Sequence, residues 1–289
     1  MRKVLVTGAS GFIGKALVAA LKESGYDVIL FSSTNGDIAE PESLDKFLHA
    51  DIWYVFHLAG KTFVPNSWHS PFSFYKTNVL GTLNVLEFCR KTKASLTYVS
   101  AYIYGHTKIL PISEDIQIKP SNPYAMTKRL AEETCEFYAS NYGMGVTTIR
   151  PFNVYGIGQP ENFLIPLVIK QALSGSKIVV KDLLPKRDFV YLDDLIEALL
   201  ATLNTHIESY NVINIGSGTS LSVKEVIDVV QDIAGTNKEI VADSQVRTNE
   251  LMDVIADISK AKALLGWQPK YLFYQGIEKI IRYEQRVKA

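Results

Sequence analysis

A glycine-rich turn near the start of the chain constrains this sequence more than any other feature. Residues 3–7 predict a short apolar strand, and apolar side chains from residue 13 recur at helical spacing until Gly25. Between them, Gly8, Gly11 and Gly14 allow a tight turn, close approach of a pyrophosphate to the backbone, and close packing of helix on strand. The segment therefore predicts the first βαβ unit of a dinucleotide-binding sheet.

Strands and helices alternate up to about Arg150, and this rhythm is typical of a doubly wound parallel sheet. Residues 51–59 contain few polar side chains, as expected for a strand buried on both faces. The remainder lacks the βαβ rhythm and ends in a helix predicted at 277–284. The sequence thus predicts an α/β protein, in which a Rossmann-like doubly wound parallel sheet is followed by a smaller C-terminal α/β substrate domain. The predicted dinucleotide domain covers 1–155 with returns at about 188–216, and the substrate domain covers 156–187 and 217–289.

The composition argues against several kinds of partner. Lys and Arg together number 30 and Asp and Glu also number 30, so no net field favours nucleic acid or an anionic membrane. No apolar run approaches the roughly 18 residues of a membrane span, and residues 1–3 lead into a strand rather than a signal peptide. Cys89 and Cys135 fall in predicted helices without metal-ligand spacing. We therefore expect reduced core cysteines, no metal site and a cytoplasmic location.

A Tyr-x-x-x-Lys pair stands at the start of a predicted helix. Asn122 can cap this helix and Pro123 suits its first position, which puts Tyr124 and Lys128 one turn apart on the same face. The ammonium group and the positive end of the helix dipole would lower the pKa of the phenol from its usual ~10. Such a phenol can exchange a proton with a sugar or steroid hydroxyl while hydride moves elsewhere. In isolation, a solvated Tyr–Lys pair on an ordinary helix is the favoured interpretation, because a bare Tyr-x-x-x-Lys is common by chance.

Two strand ends provide further candidates. Ser100 ends a strand at the edge where open α/β sheets contact ligands, so it can donate a hydrogen bond to a reacting oxygen; a turn serine is the alternative. The second strand is followed by Ser32, without an acid to accept the ribose hydroxyls of NAD. Neither Arg nor Lys stands there to pair with a 2′-phosphate. Cofactor choice therefore stays open between NAD and NADP, and the missing acid tilts the expectation towards NADP. His57 is interpreted as structural.

Several short segments form a set that extends in order along nearly the whole chain. They are residues 7–14, residues 56–60, Asn78 with residues 81–82, Ser100 with residues 104–105, Tyr124 with Lys128, residues 150–156, residues 187–190 with 193–194, and residues 256–261 with 265–267. In this set the chain resembles the extended short-chain dehydrogenase/reductase family, in its nucleotide-sugar epimerase/dehydratase branch. Such a colinear set is specific for the family and much less so for the substrate.

The resemblance implies a catalytic and a cofactor-binding set. Tyr124 would be the general acid/base, Lys128 would bind the nicotinamide ribose and lower the pKa of the phenol, and Ser100 would hold the substrate oxygen. Asp37 and Ile38 would flank the adenine. The implied cofactor-binding residues are Gly8, Ser10, Gly11, Phe12, Ile13, Gly14, Ser32, Asp37, Ile38, Leu58, Ala59, Gly60, Tyr124 and Lys128.

The resemblance also implies contacts to the substrate. Asn153 would contact the sugar diphosphate, and Arg187 and Arg247 would pair with its phosphates, whose geometry suits forked guanidinium donors. For Arg247, a plain surface charge is an equal alternative. Dehydratases of this branch carry Thr-Asp-Glu where residues 100–102 read Ser-Ala-Tyr, so dehydration is disfavoured. Residues 181–186 replace a Gly-rich turn that would border the nucleotide, which leaves the base open.

The reactions that fit are epimerisation and 4-keto reduction, both by hydride transfer at C4 of a nucleotide-linked hexose. The missing dehydratase acids fit either one. A non-enzymatic dinucleotide sensor is an alternative, although the joint presence of Ser100, Tyr124 and Lys128 argues against it. A dehydrogenase of a non-nucleotide alcohol or ketone is another, and Asn153, Arg187 and Arg247 argue against it if they face phosphates.

Family members commonly pair through two helices into a homodimer, here residues 78–90 and 124–142. The apolar residues Leu83, Leu86, Leu130 and Phe137 permit this pairing, and they equally permit packing on the sheet. A homodimer that binds a nucleotide sugar, and neither nucleic acid nor membrane, is the expectation.

Overall fold

The computed structural model describes residues 2–205, 209–243 and 251–288. The strands are β1 (Lys3–Thr7), β2 (Asp27–Phe31), β3 (Ile52–His57), β4 (Ser95–Val99), β5 (Val146–Pro151), β6 (Asn153–Tyr155), β7 (Ile178–Val180), β8 (Lys186–Arg187), β9 (Phe189–Tyr191), β10 (Tyr210–Ile215), β11 (Leu221–Ser222) and β12 (Ile240–Ala242). The helices are α1 (Phe12–Glu23), α2 (Val64–His69), α3 (Pro71–Phe74), α4 (Gly81–Thr92), α5 (Pro123–Tyr142), α6 (Leu164–Ser174), α7 (Leu192–Thr202), α8 (Val223–Ala234), α9 (Ser259–Leu265) and α10 (Phe273–Lys288). A 3-10 turn spans Asp45–Phe47, and a π-helical turn at Tyr75–Leu80 joins α3 to α4.

A parallel sheet forms the centre of the molecule, with strands in the order β10, β5, β4, β3, β1 and β2. The chain leaves β1 towards β2 and then returns to the other side of β1 as β3. In open α/β sheets, ligands bind at such a switch point, beyond the carboxyl ends of the strands. The predicted α/β class and doubly wound parallel sheet are confirmed, and the glycine turn lies at the switch point.

Apolar side chains cover both faces of this sheet. Along β1, Val4 and Val6 face the layer that contains α1 and α7, whereas Leu5 faces the layer that contains α4 and α5. Since successive strand residues point to opposite faces, a strand covered on both sides must be apolar throughout. Cys89 and Cys135 are free, buried thiols in the second layer, as expected for reduced core cysteines.

A separate apolar cluster joins the C-terminal helices. Ile165 of α6, Val226 of α8 and Ile277 of α10 belong to this cluster, together with Tyr155 at the end of β6. Gly276 permits the packing, because a Cβ at that position would overlap the Tyr155 ring and hydroxyl. None of the helices in the described ranges is both long and apolar enough to cross a membrane.

Candidate active site

The glycine turn forms a close cradle at the switch point. Gly8 has a φ of +70°, and a Cβ there would lie only 2.7 Å from the backbone nitrogen of Ala59. A Cβ at Gly14 would overlap the Gly8 carbonyl oxygen, so α1 can approach β1 this closely only with glycine at 14. Gly11 caps the start of α1 without a side-chain hydrogen bond, which leaves backbone N–H groups directed to an anion. These features fit the pyrophosphate of a dinucleotide.

The loop after β3 lies directly against this turn. Leu58 donates its N–H to the Thr7 carbonyl at 3.2 Å, and Gly8 approaches the Leu58–Ala59 peptide. His57 is buried and contacts Thr7 Oγ1 through Nδ1 at 2.7 Å, and burial lowers its pKa to about 3. The neutral ring therefore joins two strands, as the structural interpretation predicted. Of the predicted residues, Ser10 lies in the glycine turn, Phe12 and Ile13 begin α1, and Leu58, Ala59 and Gly60 lie in the loop after β3.

The residues predicted to surround the adenosine lie beyond β2. Ile38 is buried against Gly81. Asp37 accepts the Ala39 N–H at 3.0 Å and pairs with Lys76 at 3.0 Å, and both contacts lower the pKa of its carboxyl group. Ser32 Oγ lies 2.8 Å from Thr34 Oγ1 in an exposed turn. The residues that follow β2 include no Arg or Lys, but the fold brings Lys46 to this loop, where its Nζ donates to the Asn35 carbonyl oxygen at 3.1 Å.

The helix α5 begins as its sequence predicts. The Asn122 side chain accepts the N–H of Ala125 at 2.8 Å, and Pro123 occupies the first helical position. One turn separates the half-buried Tyr124 from Lys128, which is only 3% exposed. Lys128 Nζ donates a 2.8 Å hydrogen bond to the carbonyl oxygen of Val99. This bond links the Tyr-x-x-x-Lys helix to the carboxyl end of β4, where Ser100 follows.

Burial determines the protonation of the pair. It raises the pKa of the Tyr124 phenol above its usual value, and the nearby Tyr102 raises it further. Burial also lowers the pKa of the Lys128 ammonium to about 8. The predicted lowering of the phenol pKa is therefore wrong for the chain by itself, because burial disfavours the charged phenolate. At neutral pH Tyr124 carries its proton, and most of Lys128 does also.

Ser100 has a buried hydroxyl with unusual surroundings. The residue is 4% exposed, and its backbone N–H is bonded to the Ile149 carbonyl at 2.8 Å. Its Oγ, however, has no hydrogen-bond partner among the described residues. Buried hydroxyls in this condition are rare and call for an explanation. A substrate oxygen that accepts a hydrogen bond from Ser100 Oγ would be such an explanation.

The sequence did not reveal the aromatic groups beside Tyr124. Tyr102 stacks on Phe152 with 5.4 Å between ring centroids, and its hydroxyl donates to Asn153 Oδ1 at 3.4 Å. Phe74 contacts the Tyr124 ring edge to face at 6.5 Å. In the sequence, Tyr102 was notable only because dehydratases of this branch carry an acid at that position. Its tertiary contacts place a second phenol, held by Asn153, on the side of Tyr124.

Asn78 is a further residue for which the sequence predicted no role. Its side chain is 1% exposed, accepts the Lys61 N–H at 2.8 Å and donates to Thr127 Oγ1 at 3.0 Å. It thereby fixes the loop after β3 to α5. In the sequence, the signal for Asn78 was its place in the colinear set. Its position in a π-helical turn is visible only in the structure, and such turns are frequent at functional sites.

The predicted phosphate-binding residues have separate positions. Asn153 donates its side-chain N–H to the Asp188 carbonyl at 3.1 Å. Arg187, in β8, donates through Nη1 to the carbonyl oxygens of Lys186 at 2.8 Å and Leu251 at 2.6 Å. Arg247 lies outside the described residues. The structure thus brings Asn153 to Tyr102 and places Arg187 in the small sheet of β8 and β11.

Two cavities lie in the C-terminal part of the molecule. One of about 160 Å³ lies between residues 156–161, α6 and α10, and another of about 340 Å³ lies between residues 191–193 and α10. Neither is lined by Ser100, Tyr124 or Lys128.

The family of the chain follows from its sequence match. Residues 4–216 match the model of the NAD dependent epimerase/dehydratase family. The chain belongs to this family. The match contains the glycine turn, Ser100, Tyr124, Lys128 and Arg187, so the site described above lies within the part shared with the family. The resemblance to the extended short-chain dehydrogenase/reductases is confirmed.

Relatives in the epimerase/dehydratase family include both reductases and epimerases. GDP-6-deoxy-D-mannose reductase of Pseudomonas aeruginosa is 33% identical over 306 residues, which cover 99% of each chain. The structure of UDP-glucose 4-epimerase of Thermotoga maritima with UDP-glucose has a TM-score of 0.92 at 28% identity, and the match covers 99% of this chain and 100% of that one. RMD from Pseudomonas aeruginosa, complexed with NADPH, has a TM-score of 0.88 at 32% identity and 98% coverage of each chain. Structural neighbours thus contain NADPH or, in other cases, NAD.

Proposed function

We propose that this chain is an NAD(P)-dependent enzyme that transfers hydride at C4 of a nucleotide-linked hexose, as a 4-ketoreductase or a 4-epimerase. The observation that carries the proposal is the convergence of three groups at one sheet edge. Ser100 offers an unpaired buried hydroxyl, Tyr124 offers a protonated phenol, and Lys128 is anchored beside both on the Val99 carbonyl.

Tyr124, Ser100 and Lys128 would have different roles at the reacting carbon. Tyr124 gives its proton to the C4 oxygen when a ketone is reduced, and takes it back when an alcohol is oxidised. Ser100 Oγ donates a hydrogen bond to the same oxygen and so fixes it beside the phenol. Lys128 holds α5 against β4, and its charge favours the phenolate that remains after proton transfer. The glycine turn would hold the pyrophosphate of the dinucleotide, and its nicotinamide would supply the hydride chemistry.

A nucleotide sugar is the substrate class that the relatives support. The names of the reductase and the epimerase described above both give a nucleotide-linked hexose as the substrate. In this chain, Asn153 next to Tyr102 would contact the sugar diphosphate, with Arg187 towards the phosphates. Residues 156–187 and 217–289 would form the substrate-binding part around them, on the dinucleotide-binding part that 1–155 and the returning segment supply.

An absorbance assay distinguishes the two reactions. The chain is mixed with NADPH and a 4-keto-6-deoxy nucleotide sugar, and separately with UDP-glucose and catalytic NAD. Stoichiometric loss of NADPH absorbance in the first mixture is expected of a ketoreductase, since one hydride is consumed for each ketone. Formation of UDP-galactose in the second mixture, without net change in NADH, is expected of an epimerase. Activity in neither mixture, across UDP, dTDP, GDP and CDP sugars, would contradict the proposal and favour a non-enzymatic sensor or a dehydrogenase of another alcohol.

We also propose a homodimer formed through the outer faces of α4 and α5. Leu86 is buried on the sheet, whereas Phe137 and Tyr142 of α5 are 57% and 52% exposed. Burial of such rings against a second copy would remove apolar area from water. Light scattering should give twice the mass of one chain, and Phe137→Asp should give the mass of one chain. A single-chain mass for the unaltered protein would contradict the dimer.

The two buried thiols fit the predicted cytoplasmic location.

A further inference from the structure

A lysine from a later segment lies over the loop that follows β2. Lys46, in the 3-10 turn Asp45–Phe47, donates from Nζ to the Asn35 carbonyl at 3.1 Å, across a sequence separation of 11 residues. Its ammonium lies 5.8 Å from the ring centroid of Phe31, the last residue of β2. The cation that the local sequence lacks at this strand end is therefore supplied by the fold.

Hydroxyl groups lie in the same loop. Ser32 Oγ and Thr34 Oγ1 are 2.8 Å apart, and the Ser32 N–H donates to Asn35 Oδ1 at 2.9 Å. The loop adjoins the glycine turn, because Ala9 donates its N–H to the Phe31 carbonyl at 3.2 Å. In sheets of this type, the adenosine ribose of the dinucleotide lies at the end of the second strand. The hydroxyls and the ammonium thus stand where the 2′ position of that ribose is expected.

The local charges leave Lys46 available for an anion. Two acidic groups of the loop, Asp37 and Glu40, both pair with Lys76, at 3.0 and 2.8 Å. No ion pair of the described residues involves Lys46, whose only hydrogen bond there is to a neutral carbonyl. An ammonium on a flexible stem can exchange that carbonyl for a phosphate oxygen and gain a charge-assisted hydrogen bond.

We propose that Lys46, with the hydroxyls of Ser32 and Thr34, binds the 2′-phosphate of NADP and gives the chain its preference for NADP over NAD. This inference rests on the proposed dinucleotide-dependent function. NAD has a hydroxyl at the same position, and residues 32–35, which directly follow β2, include no acid to accept it. The 2′-phosphate of NADP would therefore find a cation and hydroxyl donors at this loop. The 2′-hydroxyl of NAD would find no carboxylate directly after β2.

Calorimetric titration tests the subsite without relying on turnover. NADP and NAD are titrated into the unaltered chain, Lys46→Gln and Lys22→Gln, the last an exposed lysine at the far end of α1. Lys46→Gln should weaken NADP binding about tenfold or more, as expected for loss of a charged hydrogen bond, and leave NAD binding unchanged. Lys22→Gln should change neither. Added salt should reduce the NADP preference of the unaltered chain, because an exposed ammonium–phosphate pair is screened.

A second variant supplies the converse test. Ser32→Asp places a carboxylate where NAD-specific sheets have one, so it should repel the 2′-phosphate and reverse the preference towards NAD. Equal affinity of the unaltered chain for NAD and NADP, or equal losses for both in Lys46→Gln, would overturn the subsite and leave the proposed function standing. If the unaltered chain bound neither dinucleotide, both proposals would fall together.

Discussion

Replacing Tyr124 with Phe should lower turnover by about 10²-fold or more, because removal of a positioned acid/base costs at least that factor. Dinucleotide affinity should persist, since the glycine turn, the loop after β3 and Lys128 remain in place. Phe74 contacts the Tyr124 ring edge to face, and the phenylalanine ring preserves that contact. The measurement pairs steady-state turnover in the assay above with cofactor titration.

Tyr142→Phe is the matched control for this variant. Tyr142 is the last residue of the same helix and is 52% exposed, so its loss of a hydroxyl should leave turnover unchanged. Turnover of Tyr124→Phe equal to that of the unaltered chain would refute the acid/base role. Equal losses in both variants would indicate that disturbance of α5, rather than loss of the proton donor, lowers activity.

The second large effect concerns a charged pair inside the protein. Arg150 of β5 and Glu132 of α5 are each 4% exposed and form a 2.6 Å contact, and Arg150 Nη1 donates a 2.9 Å hydrogen bond to the hydroxyl oxygen of Tyr104. Glu132 lies one turn beyond Lys128, on the buried face of α5 that also carries Tyr124. The pair therefore helps to fix the rotation of the helix that presents the phenol.

Glu132→Gln should lower the free energy of unfolding by about 3–5 kcal/mol, because it leaves the Arg150 charge buried without a counter-ion. Chemical denaturation measures this change. In Glu132→Gln/Arg150→Met the buried charge is also removed, so much of the loss should be recovered. Glu133→Gln is the control, since Glu133 and Arg129 form an exposed pair on the same helix that should contribute about 0–1 kcal/mol. Equal effects at 132 and 133 would contradict the prediction.

The sequence predicted the local features of the site correctly. Asn122 and Pro123 start α5 as expected, and the glycines at 8 and 14 occupy positions where a side chain would collide with backbone. Boundaries that lack strong signals were less accurate: the last helix was predicted at 277–284 and spans Phe273–Lys288. Caps and glycine conformations depend on neighbours in sequence, so they can be inferred from the sequence itself.

Contacts between distant segments required the tertiary structure. The proximity of Lys46 to the loop after β2, the stacking of Tyr102 on Phe152 and the unpaired hydroxyl of Ser100 join residues that no local pattern connects. The direction of the Tyr124 pKa shift also depended on burial, which is a property of the whole packed chain. The sequence by itself therefore determined the sheet, the glycine cradle and the Tyr–Lys pair, because short-range backbone preferences specify them. Only the folded chain determined which charges, hydroxyls and rings surround that pair, because desolvation and long-range contacts arise from packing.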